Sequence, residues 1–276
     1  MATACAGATE EPSPEVDSSR IVALSGDLTE FVYELGAGDR MVGVDVTTVA
    51  PEPALDLPVV GVGRFITAEG VLGVDPTLVL ADTQTSPVEV LDQITGAGAA
   101  VEVLEIATTF PDLYERIERL GEILGASAEA EAVVAELSAD IDAAEAVAED
   151  TELRVAYVYT RGPDVMLLFG EGMTTQPLIE AAGAIDAGAD SGIVGTVPVS
   201  AEALVAAAPD VIIVPEEGLG ILGGVDVLLE IPGVAETPAG RNRAFLAYPE
   251  GDFLTFGPRI ADSLERLIAD LSVIGQ

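Results

Sequence analysis

The feature that most constrains this chain is an internal repeat. The stretch 67-TAEGVLGVDPTLVLA-81 returns as 200-SAEALVAAAPDVIIV-214, at a constant offset of 133 residues. Each copy reads as a hydroxyl residue, Ala and Glu at the start of an apolar helix, then a proline and a strand. A second pair, 29-TEFVYELGA-37 and 175-TQPLIEAAGA-184, agrees with a slip of one residue. Two related lobes are therefore predicted, and the cleft between them is the natural ligand site.

Short apolar runs alternate with helical patterns on both sides of a long helical region. Strands are predicted over residues 20–24, 41–44, 77–82, 101–106, 155–159, 211–214 and 244–248. Such alternation is typical of βα units around a mostly parallel sheet. The predicted fold is therefore α/β, with two similar lobes, each with a central mostly parallel sheet flanked by helices, joined by one long connector helix.

The pattern changes between Pro111 and Asp150. Residues 111–125 predict an amphipathic helix that ends at Gly125, and residues 127–150 contain no Gly or Pro. High helix propensity, with Ser127 as N-cap, predicts a second helix whose polarity favours a rigid connector over a core element. The predicted organisation is a flexible N-terminal tail over 1–19, a first lobe over 20–125, a connector over 126–150 and a second lobe over 151–276.

Charge excludes several classes of partner. The 276 residues include 48 acidic residues against 11 arginines, with no lysine, for a formal charge of −37. A surface this negative repels nucleic acid and anionic lipid headgroups, so neither is expected as a partner. Since 49% of the residues are apolar, a large core can form, and the acidity indicates a solvated surface suited to a salty milieu.

The single cysteine, Cys5, excludes an internal disulfide and a cysteine-based zinc site. It follows small residues at 2–4 and precedes a polar stretch over 7–14, as in the remnant of a lipoprotein cleavage site. An ordinary tail with one free thiol is the alternative. We expect an extracytoplasmic protein, a cell-surface lipoprotein or its periplasmic equivalent, that meets the membrane only through a lipid anchor.

Catalytic motifs are missing from the sequence. The chain has no histidine for a catalytic triad or a zinc site, no Gly-x-Ser-x-Gly elbow and no Gly-x4-Gly-Lys phosphate loop. Gly61-Val-Gly63 lacks the third glycine of a dinucleotide-binding loop. We therefore predict a binding protein that is not an enzyme and has no catalytic cofactor.

Several stretches resemble those of a known family, the substrate-binding proteins of ABC importers whose lobes are joined by one backbone helix. The stretches that carry the resemblance are 20-RIVALSGDLTEFVYELGAGDRMVGVD-45, 67-TAEGVL-72, 154-RVAYVYTRG-162, 222-LGGVDVLLEIPGVAETPAGRNR-243 and 255-TFGPR-259. Such proteins carry ferric siderophores, cobalamin or haem, and the similarity is closest to the haem-binding branch of Gram-positive lipoproteins. The resemblance implies a monomeric protein that delivers haem, as transported ligand, to a permease and its ATPase; a ferric siderophore or cobalamin is the alternative cargo.

In those relatives the tyrosine of a Tyr-x-Arg-Gly stretch ligates the haem iron and the arginine faces it, which implies these roles for Tyr159 and Arg161. Phenolate oxygen is a hard, anionic donor suited to ferric iron. A nearby cation and the iron itself both favour ionisation of a phenol whose pKa is otherwise near 10. Tyr157 is the competing ligand, since it shares a strand face with Tyr159. The alternative is that Tyr159 packs at a strand end while Arg161 pairs with an acid.

The first lobe departs from the pattern of the relatives. Val62 stands where they place a His or Tyr ligand, so the resemblance implies five-coordinate iron, or a sixth ligand from water or from Met173. Arg64 lies where a relative has a cleft arginine near the haem propionates, which a guanidinium can clamp with two hydrogen bonds. Arg259 either faces the ligand or fixes a helix start.

Glu69 and Glu202 fall at equivalent places in the repeat. In the wider family such a glutamate on each lobe docks onto arginines of the permease, and the resemblance implies the same role here. Each acid also favours the N-terminus of its helix through the helix dipole, which is the alternative role and is compatible with docking.

Overall fold

The computed structural model describes residues 16–61 and 66–275. The first lobe contains a sheet of parallel strands in the order β3-β2-β1-β4-β5. Its strands are β1 (Ile21–Ala23), β2 (Met41–Asp45), β3 (Val59–Gly61), β4 (Leu78–Asp82) and β5 (Ala100–Leu104). The helices of this lobe are α1 (Gly26–Glu34), α2 (Ala68–Leu72), α3 (Glu89–Gly96) and α4 (Phe110–Leu124), with 3-10 turns at Gly38–Arg40 and Glu52–Asp56.

Alternate residues of the central strands enter different cores, as the pleat of a strand requires. Val22 and Val79 pack with α2 and α3 on one face of the first sheet. Ile21 and Leu78 pack on the other face with α1 and α4. The strands are therefore buried on both faces, which explains why they read as continuous apolar runs.

The second lobe is built around strand β6 (Arg154–Thr160). Its other strands are β7 (Met166–Phe169), β8 (Ile185–Asp186), β9 (Thr196–Pro198), β10 (Val211–Pro215) and β11 (Phe245–Tyr248). The order is β11-β10-β6-β7-β9, and β8 pairs with the beginning of β6. The parallel part, β11-β10-β6-β8, therefore repeats the order β5-β4-β1-β2 of the first lobe, while β7 and β9 add an antiparallel extension that the sequence did not predict.

Short helices connect these strands. They are α6 (Thr175–Ala181), α7 (Ala187–Asp190), α8 (Ala201–Ala207), α9 (Glu216–Leu222), α10 (Val225–Leu228), α11 (Pro238–Asn242) and α12 (Gly251–Leu254), and the long α13 (Ile260–Ile274) closes the chain. Together with the two sheets they confirm the predicted α/β class with two similar lobes.

The repeat in the sequence is also a repeat in local geometry. The Thr67 hydroxyl accepts a hydrogen bond from the Gly70 amide at 3.1 Å, and the Ser200 hydroxyl accepts one from the Ala203 amide at 3.1 Å. Asp75 and Ala208, 133 residues apart, both have positive φ angles, of 49° and 44°. The two copies therefore share their helix caps and the turn before each proline.

The predicted connector is helix α5 (Ser127–Glu145), which packs on α4 and on α13. Helix α4 ends as predicted at Gly125, which has a φ of +68°. Ser127 is not the N-cap: Ala126 takes that place, and no side chain caps the helix. One stripe of α5, including Leu137 and Ile141, is buried in a core cluster that contains residues of both sheets. The connector is thus less polar in its contacts than its sequence indicates.

Candidate binding site

Strand β6 and strand β7 form a hairpin that presents two of the predicted site residues. Tyr159 lies opposite Leu167 in the antiparallel pair. The Arg161 amide donates to the Val165 carbonyl at 2.9 Å, and Gly162 turns the chain with a φ of +93°. A positive φ of this kind favours glycine, so the Arg-Gly pair fixes the turn that carries the arginine.

Tyr159, Arg161 and Glu250 form a chain of polar contacts. Nε of Arg161 donates to the Tyr159 hydroxyl at 2.9 Å, and Nη2 of the same guanidinium donates to Oε1 of Glu250 at 2.7 Å. The hydrogen bond to Tyr159 raises the pKa of Arg161, and the charge of Glu250 acts in the same direction. Arg161 therefore meets both alternatives that the sequence left open, since it faces the tyrosine and pairs with an acid.

Tyr157 lies below Tyr159 in the core of the second lobe. It is 1% exposed, its ring centroid lies 5.0 Å from that of Phe169 and 5.8 Å from that of Phe253, and its buried hydroxyl has no hydrogen-bond partner among the described residues. Burial raises the pKa of Tyr157 well above its ordinary value. A neutral, enclosed phenol is a poor iron ligand, so the competing assignment of Tyr157 as ligand is not supported, and its place is in the packing beneath Tyr159.

Acidic residues surround the tyrosine and arginine. Glu250 precedes helix α12, and its amide donates to Oε2 of Glu217 at 3.1 Å. Burial raises the pKa of Glu250, against the opposing effect of Arg161. No local pattern in the sequence identifies Glu250, because it lies 89 residues from Arg161 and is one of 48 acids.

Arg259 joins the two lobes. Its guanidinium lies 3.2 Å from Oε1 of Glu30 on α1, and it precedes helix α13 as the N-cap residue. Burial raises the pKa of Glu30, and Arg259 opposes that effect. Phe256 stacks on Phe110 of α4 with ring centroids 5.6 Å apart. The segment before α13 is therefore a contact between the lobes.

Met173, the other candidate iron ligand, is half-buried and packs against the core.

The first lobe presents a buried ion pair toward the cleft. Nη2 of Arg116 lies 2.7 Å from Oδ2 of Asp27, with side-chain exposures of 4% and 6%. With Asp82 and with Leu254 of the second lobe, these residues line a pocket of about 50 Å³ between the lobes. Ligand sites commonly measure about 300–1,000 Å³, so this pocket holds only a small part of a large ligand. The sequence did not identify the pair.

Three predicted residues, Val62, Arg64 and Cys5, lie outside the described residues. The two predicted docking acids are described. Glu69 and Glu202 are both exposed, and each lies in the first turn of its helix, α2 or α8. The structure therefore leaves both carboxylates accessible to a partner, and also places both where the helix dipole favours them.

Comparison with known proteins decides the family. Residues 21–250 match the family described as periplasmic binding protein. The chain belongs to this family. It is 29% identical over 203 residues to YvrC of Bacillus subtilis (strain 168), an uncharacterized ABC transporter substrate-binding lipoprotein. The match covers 71% of this chain and 63% of YvrC. A vitamin B12-binding protein of Yersinia pestis is 33% identical over 88 residues, 32% of this chain and 31% of that protein. The chain thus spans less than two thirds of these curated relatives.

Solved structures of haem-binding proteins resemble the fold of this family member over most of its length. RhuT from Roseiflexus sp. RS-1, a periplasmic haem-binding protein in apo form, has a TM-score of 0.90 and 38% identity, and the match covers 94% of this chain and all of RhuT. BhuT in complex with two haems has a TM-score of 0.85 and 31% identity, over 93% of this chain and 99% of BhuT. The haem-binding protein HmuT has a TM-score of 0.84 and 34% identity, over 92% and 85%. These relatives and neighbours are binding proteins, as predicted for this chain.

Proposed function

We propose that this chain is the extracytoplasmic substrate-binding component of an ABC importer, and that it binds haem in the cleft between its lobes. The observation that carries the proposal is the hydrogen bond that the Tyr159 hydroxyl accepts from Arg161. The half-buried phenol of Tyr159 stands at the end of a hairpin, and Arg161 donates a hydrogen bond to its oxygen. An oxygen held in this way is preorganised to become an anionic iron ligand.

The spacing of residues in HmuT supports the assignment. Solved variants of HmuT replace a His, a Tyr and an Arg, with the Arg two positions after the Tyr and the His 99 positions before it. In this chain Arg161 follows Tyr159 by two positions, and Val62 precedes Tyr159 by 97. Tyr159 and Arg161 reproduce the two-residue spacing of the Tyr and the Arg, whereas this chain has no histidine and offers a valine, which cannot coordinate iron, at a similar distance before Tyr159.

Three kinds of interaction would hold the haem. Tyr159 supplies the oxygen ligand, and the cation of Arg161 favours its ionised form. The lobes enclose the apolar macrocycle, and Arg64 of the first lobe is the candidate partner for a haem carboxylate. Because Val62 stands in the sequence where relatives have a His or Tyr ligand, the iron would be five-coordinate, or water or Met173 would supply the sixth ligand; thioether sulfur is suited to reduced iron.

A ferric siderophore or cobalamin is the second candidate cargo. The similarity to a vitamin B12-binding protein favours cobalamin at the level of the family, although it covers only 32% of this chain. The shared fold allows either cargo, because fold alone does not determine ligand. The hydrogen-bonded phenol of Tyr159 and the haem-binding solved structures favour haem.

A hemin titration tests the proposal. We expect a high-spin ferric visible spectrum with the parent protein, and its loss in Tyr159→Phe, which keeps the ring but removes the ligand oxygen. Tyr114→Phe, on helix α4, is the matched control and should bind hemin as the parent does. No spectral change with hemin, together with binding of a ferric siderophore or cobalamin, would replace haem by that cargo.

Delivery requires partners, and the two exposed glutamates are their candidate contacts. We propose that Glu69 and Glu202 dock onto the permease and that the protein works outside the cytoplasm as a monomer, tethered through Cys5. In the described part of the chain, no helix has the length and hydropathy to cross a bilayer. The double variant Glu69→Ala/Glu202→Ala should bind hemin normally but fail to support uptake in cells. Glu129→Ala, another exposed acid in a first helical turn, is the control, and unchanged uptake in the double variant would contradict docking.

A further inference from the structure

The guanidinium of Arg161 is shared between two acceptors on different segments. Nε is bonded to the Tyr159 hydroxyl and Nη2 to Oε1 of Glu250. The planar fork of arginine fixes the angle between these donors, so the position of one acceptor constrains the other. Arg161 is 45% exposed, and no other acid contacts its side chain among the described residues. A side chain this exposed has many rotamers, and Glu250 selects one of them.

Glu250 is itself held in place. Its amide donates to Glu217 of α9, its side chain is 21% exposed, and its Oε2 atom is buried without a hydrogen-bond partner. It is the N-cap residue of α12, but its side chain makes no capping hydrogen bond. The carboxylate therefore does not cap the helix, and its side-chain partners are Arg161 and the Tyr159 hydroxyl.

We propose that Glu250 is a positioning residue that holds Arg161 against the oxygen of Tyr159 and keeps it from pairing with carboxylates of the ligand. The inference rests on the proposed role of Tyr159 as iron ligand. In it, Arg161 sets how strongly the Tyr159 oxygen binds the iron and does not bind the haem propionates. Glu250 acts mainly through Arg161, beside a weaker hydrogen bond of its own with Tyr159, and does not touch the haem.

This dependence can be separated from a purely structural ion pair by a double-mutant cycle. The cycle comprises Glu250→Ala, Arg161→Ala and the double variant, each titrated with hemin. Loss of a hydrogen bond from a charged donor is expected to weaken hemin binding about tenfold in each single variant. The double variant should be no weaker than either single variant, to within about twofold, because both remove the same contact.

The spectrum supplies a readout that a structural role would not move. A hydrogen bond stabilises the oxygen lone pairs of a phenolate, so its loss should shift the phenolate-to-iron charge-transfer band to longer wavelength, by the same amount in both single variants. Glu250→Gln keeps an acceptor oxygen for Nη2 and should retain the band of the parent. Glu216→Ala, a neighbouring acid on α9, is the control and should change neither affinity nor spectrum.

The outcomes distinguish this inference from the proposed function. If the parent binds hemin but Glu250→Ala leaves the band in place, or if the two single effects add in the double variant, the positioning role is wrong while haem binding stands. If Glu250→Ala proves too unstable to titrate, a shifted band in Glu250→Gln would also overturn it. If the parent shows no hemin spectrum, the proposed function fails first, and the inference fails with it.

Discussion

The two lobes start from the same βα unit but differ where their central strands end. Strand β1 stops after three residues at Ala23 and the chain enters helix α1, whereas β6 continues for seven residues to Thr160 and turns into a hairpin. Each lobe then joins an arginine to an acid 89 residues away: Arg116 to Asp27, and Arg161 to Glu250. The first pair is buried and the second exposed. The buried pair of the first lobe is thus suited to stabilising the fold, and the exposed pair of the second lobe to contacting a ligand.

The largest effect is expected from breaking the buried pair. Arg116→Ala leaves Asp27 without its cation in a dry site and removes a hydrogen bond to the Glu105 carbonyl. Removing one partner of such a pair commonly costs about 3–5 kcal/mol, so we expect the free energy of unfolding in urea to fall by that amount. Arg119→Ala, three residues along α4 with two exposed ion pairs, should cost less than about 1 kcal/mol. Equal losses would show that burial does not distinguish the two sites.

The comparison also shows how far the sequence determines the fold. Except for the short β3 and β8, which the sequence did not predict, the parallel strands were predictable because they are apolar runs bounded by helix caps and prolines. Strands β7 and β9 were not, since β7 is a four-residue run next to glycine and β9 ends in a proline. In the site, Tyr159 and Arg161 were predictable from a local motif. Glu250 and the partner of Arg116 were not, because pairing over 89 residues leaves no local pattern.

The next effect concerns the helix that supports the hairpin. After β4 the first lobe makes a turn, but after β10 the second lobe continues directly into α9, where Gly218 packs on the Thr160 carbonyl at the end of β6. A Cβ at Gly218 would clash with that carbonyl, so Gly218→Ala should lower the free energy of unfolding by about 1–3 kcal/mol. It should also weaken hemin binding by displacing Tyr159.

Gly220 in the same helix provides the matched control. A Cβ there meets no atom within 4 Å. Gly220→Ala should therefore stabilise the protein by about 0.5–1 kcal/mol through helix propensity and leave hemin binding unchanged. Destabilisation by both changes would mean that the loss at Gly218 does not arise from its contact with the Thr160 carbonyl.

A smaller effect distinguishes two buried aspartates that end corresponding strands, Asp186 in β8 and Asp45 in β2. Burial raises the pKa of Asp186 to about 6, whereas the pKa of an aspartate in an unfolded chain is about 3.9. The folded protein binds more protons between these values, so stability is lost as the pH rises through the window. Asp186→Asn removes that loss, and we expect it to be more stable than the parent at pH 7 by about 1–3 kcal/mol, with the difference vanishing near pH 4.

Asp45 should respond less to the same change. Burial also raises its pKa, but the amide and the hydroxyl of Thr47 both donate to its Oδ1 atom and oppose the shift. Asp186 accepts hydrogen bonds from backbone amides, including that of Ala189 on Oδ1, but its buried Oδ2 atom has no partner among the described residues. Urea unfolding of Asp45→Asn at several pH values should therefore show a smaller gain, and a larger gain than in Asp186→Asn would reverse the comparison.

The smallest effect on stability is expected at the contact that joins the lobes. Arg259 is 45% exposed, so its pair with Glu30 contributes less than about 1 kcal/mol, and Arg259→Ala should hardly change urea unfolding. Its effect should instead appear in the separation of the lobes, since its pair with Glu30 and the stack of Phe256 on Phe110 both join the lobes at the cleft. We expect small-angle X-ray scattering of the apo protein to show a slightly larger radius of gyration in Arg259→Ala and in Glu30→Gln. Arg266→Ala, on α13 but packed over Tyr248 within the second lobe, is the control. An unchanged radius in the first two variants would mean that the shared core alone sets the width of the cleft.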